Sequence, residues 1–461
     1  MNPILLSIFV YIGLQLLVVF AMTRKPQGET DYLLAGRQLG PWLSTFSVFA
    51  TWFGAETCIG ATAEAYRGGL AAVAADPFGY TIGLVATGLL FGAALWRRGL
   101  VTLADLFRQR YGIGVERLAA LIMIPSSLLW AGAQVRAFGQ ILASVSDLGV
   151  SIATAWAAAV VVVYTAVGGM WADAWTDLVQ GLVVIIGLVV LGAIALAAGG
   201  GDHLQFVAHA VVTEAEPSRP LIEVLAVPIF GTIAAQELSA RLFAMRSAQL
   251  ARYATAGGGL LYLAVGMVPV LLGLGASFFV GADVEPEQVL SRLAQTQLPT
   301  PLYVLFIGAL VSAILSTLSG ALLVAGSLAA HNLAAPLLGV EASERKKLRL
   351  NRIAVVVFGI IAYGLALSSE SMYALVEEAS GLGSAGVLIM MIAALWLPRW
   401  GGASSAVAAL LTSLAVYLLG EHWLVLQAPY LTSLVAAAIS YAVFATVFPF
   451  RSKLGSSLRA P

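Results

Sequence analysis

The sequence predicts an all-α membrane protein that crosses the bilayer about thirteen times within a single transmembrane domain. Of its 461 residues, 60% are apolar and only 10% are charged, whereas soluble domains are about a quarter charged and less than half apolar. Apolar stretches of about 20 residues, the length that crosses a bilayer as a helix, recur along the whole chain. This composition excludes a soluble enzyme and a nucleic-acid-binding protein, and the net charge of zero indicates no strongly charged partner.

The predicted spans account for most of the chain. The first has no small-residue cleavage site, so we interpret it as a true span rather than as a signal peptide. The connections are short, and no soluble domain or separate linker is evident. The predicted spans lie at 3–22, 43–66, 74–95, 117–146, 151–167, 174–199, 221–245, 253–280, 302–331, 350–369, 372–397, 402–420 and 428–449.

Lysine and arginine residues predict the orientation, because they are more frequent in cytoplasmic loops. Nineteen of the 24 fall on one side of the predicted spans, three fall on the other side, and Arg136 and Arg241 fall within spans. The N-terminus is therefore expected outside and the C-terminus in the cytoplasm. We expect a multi-pass protein of the cell inner (plasma) membrane, with the lipid bilayer as its surroundings and no protein partner implied.

The second and seventh spans carry polar and helix-breaking residues at membrane depth. Bare backbone in lipid costs several kcal/mol per group, so a helix break is tolerated only where it faces protein or a wet cavity. Such a pair, five spans apart, is typical of transporters built from two inverted repeats, which bind solute where the helices break. The residues concerned are Gly54, Glu56, Gly60, Pro228, Gly231, Gln236 and Glu237.

The ninth span carries hydroxyl groups on one face. Ala313, Ser316 and Thr317 stand at positions i, i+3 and i+4, which lie together on a helix. Two hydroxyls and a backbone carbonyl form a hard-oxygen site suited to an unhydrated Na⁺, completed by carbonyls of a broken helix. The alternative is that these small residues only allow close helix packing.

The stretch 162–181 resembles the signature of the sodium:solute symporter family. The resemblance extends from about residue 30 to about residue 400 and implies the leucine-transporter-type fold. In that fold spans two to eleven form two inverted five-helix repeats, at about 43–199 and 221–397, and the helices at 3–22, 402–420 and 428–449 are peripheral. The signature residues are Tyr164, Thr165, Gly168, Gly169, Thr176, Asp177 and Gln180.

The resemblance also implies a sodium site. The family's coupling-ion ligands fall on the backbone carbonyls of Ala50 and Phe53 and on three residues of the ninth span, Ala313, Ser316 and Thr317. Both hydroxyls are present, which favours sodium over a proton as the coupling ion.

Asp177 matches an acidic residue on the family's sodium exit path, where some members have a second sodium site near Ser319 or Thr317. The alternative for Asp177 is a helix N-terminal cap that follows the Gly-Gly turn.

Within the family, the second span is most similar to the high-affinity choline transporters, which hold a quaternary ammonium group among tryptophans by cation–π attraction. Trp52 and Trp130 match two positions of that aromatic cage, whereas Ala235 and Val376 occupy the other two. The alternative for both tryptophans is packing within the bundle or at an interface. The further solute-contact candidates are Thr57, at a family contact position, Gln134, one turn after Trp130, and Gln236.

Intramembrane carboxylates suggest the charge of the solute. Arg241 follows Glu237 by four residues and could pair with it, but Glu56 has no cation within a helical turn on either side. A carboxylate in a dry cavity must be protonated, paired or neutralised by a ligand. We therefore expect a solute with an amino or quaternary ammonium group, as in an amino acid, betaine or choline-like compound. A monocarboxylate or a sugar is the alternative.

The sequence thus predicts a sodium-coupled symporter that imports a small organic solute by alternating access, with Na⁺ as its coupling ion. A nutrient sensor on a transporter scaffold is a second possibility, but such sensors carry a signalling domain after the last span, and this chain ends about ten residues after it. Enzyme motifs and channel selectivity motifs are not evident in the sequence, so we expect neither an enzyme nor a channel.

Overall fold

The computed structural model describes residues 26–144, 148–212, 219–281, 283–340, 343–369 and 372–448, and six positions before residue 26. These residues are helical, with short connections and one isolated bridge between Leu39 and Met245. The helices are α1 (Glu29–Leu34), α2 (Pro41–Trp52), α3 (Ala61–Ala72), α4 (Ala74–Trp96), α5 (Leu103–Tyr111), α6 (Ile113–Ser144), α7 (Val150–Val212), α8 (Leu221–Ala234), α9 (Gln236–Ala244), α10 (Ala248–Val280), α11 (Val289–Gln297), α12 (Thr300–Leu337), α13 (Glu344–Ser368), α14 (Met372–Gly381), α15 (Ser384–Trp396), α16 (Ala403–His422) and α17 (Pro429–Val447).

The helices confirm an all-α membrane protein but not a count of thirteen spans. Within the described residues, nine helices are long and apolar enough to cross a membrane, or ten if the bent pair α8–α9 is one span. These ten match ten of the predicted spans in position. Of the other three, 3–22 lies mostly outside the described residues, 43–66 is split into two short helices, and 151–167 is joined to the next span within α7.

A positive backbone angle at Gly169 interrupts α7 between the predicted spans 151–167 and 174–199. The helix is 63 residues long, which would be about 95 Å if straight, about three times the thickness of the hydrocarbon core. Gly169 has a φ of +60°, a conformation that glycine adopts without strain. A side chain there would also meet Tyr32, whose carbonyl oxygen lies 2.6 Å from the position of an added Cβ. The signature glycine therefore permits both the interruption and the close approach of α1.

Helix α12 is the centre of the bundle. Every residue from Phe306 to Ser327 is buried, and the helix packs against α6, α7 and α13. Helices α16 and α17 pack mainly on each other and on α15. Because α12 is enclosed on all sides, its serine and threonine hydroxyls must find partners inside the protein.

The second span is broken as predicted. Helix α2 ends at Trp52, Phe53 leaves the helical conformation with φ −82° and ψ 70°, and a π-helical turn at Glu56–Gly60 then leads into α3. The seventh span bends by 41° at Ala235, between α8 and α9. Pro228 and Gly231 lie inside α8 rather than at this break. Both breaks leave backbone carbonyl and amide groups available at membrane depth.

A charged cluster joins α1, α5, α12 and α13 at the end of the bundle that is rich in lysine and arginine. His331 lies 3.0 Å from the Glu29 carboxylate and 3.3 Å from the Asp105 carboxylate, and Lys347 lies 3.3 Å from Glu29. Burial alone would raise the pKa of Glu29, but His331 and Lys347 outweigh it, so the pKa of this carboxyl is lowered. The pKa of Asp105 is lowered in the same way by His331 and two backbone amides.

The lowered pKa values predict a loss of stability in acid. A carboxyl group whose pKa is lower in the folded state stabilises the fold above its ordinary pKa, and this contribution is lost as the pH falls through the folded value. We expect the unfolding temperature of the detergent-purified protein to drop below about pH 4. Glu29→Gln should have a lower unfolding temperature than the wild type at neutral pH. Its unfolding temperature should also change less as the pH falls. Glu285→Gln, at an exposed position, is the control, and a wild-type profile for Glu29→Gln would contradict the prediction.

Candidate functional site

A cavity lies where the two broken spans meet α4, α6, α12, α14 and α15. Four of the predicted solute contacts, Trp52, Trp130, Gln236 and Glu237, lie in its wall, and so does Thr317 of the predicted sodium site. Its wall also includes Thr51, Tyr80, Ser126, Ser127, Thr232, Ala235, Ser380 and Ser384.

Three aromatic rings form one wall of the cavity. The ring centroids of Trp52 and Trp130 are 6.1 Å apart with the planes at 62°, and those of Tyr80 and Trp130 are 6.3 Å apart at 77°. Edge-to-face pairs of this kind are stable arrangements, and ring faces attract cations. Tyr80 was not predicted as a site residue. Ala235 also lines the cavity, but Val376 does not appear in its wall.

Glu237 places a carboxylate in the cavity wall beside this aromatic surface. The hydroxyl of Ser127 donates a hydrogen bond of 2.5 Å to Glu237 Oε1. The preceding residue, Gln236, accepts a 2.6 Å hydrogen bond from the Leu103 amide through its side-chain oxygen. A half-buried carboxylate with one hydroxyl donor is a strong candidate for contact with a cation.

Glu56 and Thr57 lie one hydrogen bond away from the cavity rather than in its wall. The Tyr80 hydroxyl, which borders the cavity, donates to Glu56 over 2.9 Å. Thr57 donates to Asp76 over 2.9 Å, and Tyr262 donates to the same carboxylate over 2.6 Å. Asp76 and Tyr262 were not predicted, and both carboxylates are buried. This second layer places two buried carboxyl groups behind the aromatic wall.

Gln134 stabilises the break in the second span. Its side-chain oxygen accepts a 3.1 Å hydrogen bond from the amide of Ala55. A Cβ atom added to Gly54 would lie 2.8 Å from both Gln134 Oε1 and Thr317 Oγ1, which is closer than real contacts allow. Gly54 therefore allows the broken helix to approach α6 and α12. Gln134, which was predicted to contact the solute, does not line the cavity.

Two elements of the predicted sodium site are in direct contact. Thr317 Oγ1 donates to the carbonyl of Ala50 over 3.0 Å and approaches the carbonyl of Ala313 at 3.3 Å. Ser316, in contrast, donates its hydroxyl to Asp177. Phe53 directly follows the last residue of α2, and its amide donates to the Phe49 carbonyl. The end of α2 and the hydroxyl face of α12 thus bring hard oxygen atoms together beside the cavity.

A buried ionic network extends from this point between α2, α7, α9 and α12. Asp177 accepts from Ser47 over 2.5 Å and from Ser316, and it lies inside α7, so it is not a helix cap. Arg241 forms an ion pair with Asp173 and lies 3.7 Å from Asp177.

The expected pairing of Arg241 with Glu237 is thus replaced by a pairing across the bundle, since the guanidinium points away from the cavity toward α7. Ser319 donates to Asp173, a carboxylate that was not predicted.

Comparison with known proteins gives the family. The family model described as "Sodium:solute symporter family" matches residues 32–412. The High-affinity choline transporter 1 of Caenorhabditis elegans is 28% identical over 80% of this chain and 67% of its own length. The sodium/proline symporter of Escherichia coli is 26% identical over 86% of this chain and 83% of its own length. The chain thus spans about two thirds of the length of the choline transporter it matches.

Solved structures support the fold. The structure of a Na⁺-coupled sialic acid symporter superposes with a TM-score of 0.83, at 17% sequence identity, over 96% of this chain and 98% of that one. MhsT in complex with L-phenylalanine gives a TM-score of 0.59, at 13% identity, over 88% and 98% of the two chains. These likenesses agree with the predicted leucine-transporter-type fold, whereas the repeat boundaries at 43–199 and 221–397 stay predictions. The chain is a multi-pass membrane protein that belongs to the sodium:solute symporter family, a family of transporters and not of enzymes.

Proposed function

We propose that this protein imports a small solute that carries an amino or quaternary ammonium group, driven by the inward sodium gradient. The observation that carries the proposal is the cavity between the two helix breaks, which is lined by Trp52, Tyr80 and Trp130 together with the acidic residue Glu237. An aromatic surface and a buried anion are the two features that attract an organic cation. The relatives that transport choline and proline, both of which carry a cationic nitrogen, support this assignment.

Charge balance favours a cationic group over a sugar or a simple carboxylate. Glu237 is half-buried in the cavity wall, Glu56 and Asp76 are buried behind Tyr80, and Arg241 is engaged with Asp173. A buried carboxylate requires a compensating charge or several hydrogen bonds. A solute that carries an ammonium group supplies that charge when it binds, whereas a monocarboxylate would add a further negative charge to the same cavity.

Sodium is proposed to bind between α2 and α12. Its oxygen ligands would be the carbonyls of Ala50, Phe53 and Ala313 and the hydroxyls of Ser316 and Thr317. Two of these oxygens, the Thr317 hydroxyl and the Ala50 carbonyl, lie 3.0 Å apart in a hydrogen bond. Occupation by sodium would replace that hydrogen bond with ion–oxygen contacts, which hold the end of α2 against α12.

Asp177 is proposed to lie on the sodium exit path or at a second sodium site. It shares Ser316 with the first site through a hydrogen bond, and Ser47 of α2 donates to its other oxygen.

We also propose that the protein lies in the inner (plasma) membrane with its N-terminus outside and its C-terminus in the cytoplasm. The inward membrane potential then adds about 2.3 kcal/mol per charge per 100 mV to the driving force.

Uptake into proteoliposomes tests the function. A panel of amines, betaines, amino acids, sugars and monocarboxylates is offered with an inward sodium gradient, with a potassium gradient, and with a proton gradient. We expect sodium-dependent uptake of an ammonium-bearing solute. Sodium-dependent uptake of a sugar or monocarboxylate alone would overturn the substrate assignment, and uptake driven equally by protons would overturn the sodium coupling.

Replacing either cavity tryptophan should weaken solute binding. Trp52→Ala and Trp130→Ala each remove one desolvated aromatic contact, which should cost about 1–2 kcal/mol, or roughly a five- to thirtyfold loss of affinity. The half-saturating sodium concentration should change less than the solute affinity does. Trp423→Ala, at a position 79% exposed, is the matched control. Unchanged solute affinity in both cavity variants would show that the tryptophans only pack.

A further inference from the structure

Three buried hydrogen-bond donors in the cavity wall have no partner among the described residues. They are Gln236 Nε2, Thr232 Oγ1 and Trp52 Nε1, on side chains that are 2%, 2% and 3% exposed. A buried donor without a partner destabilises the protein, and such groups are rare in folded proteins. Three of them around one cavity indicate that the occupant of the cavity supplies acceptors.

The orientation of the Gln236 amide follows from its other hydrogen bond. Its Oε1 accepts from the Leu103 amide over 2.6 Å, and since a backbone N–H can only donate, the oxygen must face Leu103. The Nε2 group is therefore the end that is left without a partner, and it can only donate.

Helix α9 begins at this residue and adds a positive end. It is nine residues long, and its N-cap, Ala235, has an extended conformation and offers no side-chain acceptor. Of the first amides, that of Glu237 donates to the carboxylate of the same residue. A helix N-terminus carries about half a positive charge and binds anions through its free N–H groups. Gln236 Nε2 lies at the start of the same helix, so the side chain and the helix end favour the same kind of ligand.

The next residue, Glu237, requires the opposite charge. Glu237 lines the same cavity as Trp130 and Tyr80. The α-carbons of adjacent residues are about 3.8 Å apart, so the donors of Gln236 and the carboxylate of Glu237 are within reach of one small molecule. An anion alone would be repelled by Glu237, and a cation alone would leave the donors without acceptors.

We propose that the transported solute is a zwitterion, with a carboxylate group as well as the ammonium group. The carboxylate accepts from Gln236 Nε2, Thr232 Oγ1, Trp52 Nε1 and the N-terminus of α9, and the ammonium group lies between Glu237 and the aromatic wall. Amino acids and betaines belong to this class, whereas choline and simple amines do not. The inference rests on the proposed function, because it assumes that the cavity takes an ammonium-bearing solute.

The test compares solutes that differ in the carboxylate. Binding to the purified full-length protein is measured by calorimetry in sodium for glycine betaine against tetramethylammonium and choline, for proline against pyrrolidine, and for the common amino acids against their decarboxylated amines. In at least one pair we expect the carboxylate-bearing member to bind at least tenfold more tightly than the amine that lacks the carboxylate. Equal or tighter binding of the amines that lack a carboxylate would overturn the zwitterion and leave the proposed function standing. Sodium-dependent binding of none of them would overturn both.

Two variants locate the carboxylate subsite. Gln236→Glu keeps the size of the side chain and the acceptor for Leu103 but replaces the free donor with an acceptor, and Thr232→Val removes a donor at constant shape. Each should reduce the preference for the carboxylate-bearing member about tenfold. Thr81→Val is the control, because the buried hydroxyl of Thr81 also has no partner in the described part of the chain but lies outside the cavity wall. A preference unchanged in both cavity variants would overturn the assignment of these donors.

Discussion

Thr317→Ala is expected to raise the half-saturating sodium concentration of transport by at least tenfold. The Thr317 hydroxyl is the group that joins the end of α2 to α12, through the Ala50 carbonyl at 3.0 Å. Loss of one oxygen ligand to an ion resembles the loss of a charged hydrogen bond, about 1.5–3 kcal/mol, or roughly ten- to a hundredfold in affinity. Ser316→Ala should act in the same direction, since the hydroxyl of Ser316 belongs to the same face.

Sodium-dependent uptake measured over a range of sodium concentrations checks this result. The unfolding temperature of each variant must stay near that of the wild type, which separates ion binding from folding. Ser327→Ala is the matched control, because Ser327 is buried on the same helix and its hydroxyl donates only to Val324 of that helix. A sodium dependence of Thr317→Ala equal to that of the wild type would rule out this residue as a ligand.

Arg241→Met should destabilise the protein by about 3–5 kcal/mol. The variant leaves Asp173 and Asp177 buried at 2% and 0% exposure without the guanidinium that balances their charge. The measurement is the unfolding temperature of the detergent-purified protein, with Arg292→Met, at an exposed position, as the control. The double variant Arg241→Met, Asp173→Asn should recover part of the loss, because it removes a charge that has no partner. Equal stability of Arg241→Met and the wild type would contradict the network.

The parts of the site that are local in sequence could be predicted. Glycine, proline and polar residues marked the two interrupted spans, and the break in the first of them falls at Gly54. Helical periodicity placed Ser316 and Thr317 on one face. The resemblance to a family supplied Ala50 as the distant partner of Thr317, which periodicity alone could not have done, because it says which residues share a face but not what that face meets.

The missed residues are those whose role depends on a partner far away in the chain. Tyr80 looks like an ordinary aromatic residue of an apolar span, and only the fold brings its hydroxyl to Glu56, 24 residues away. Arg241 had a carboxylate four residues before it, so a local pair was the simplest expectation. The fold offered Asp173 on another helix instead, and the guanidinium of Arg241 pairs with that carboxylate.

The network around Arg241 joins the two broken spans to the rest of the bundle at one point. Ser47 and Thr51 come from α2 and Arg241 from α9, whereas Asp173 and Asp177 come from α7 and Ser316 and Ser319 from α12. Partial separation of any of these helices would leave a charge in the protein interior without either a partner or water. We therefore expect α2, α7, α9 and α12 to stay together at this point when the bundle changes conformation.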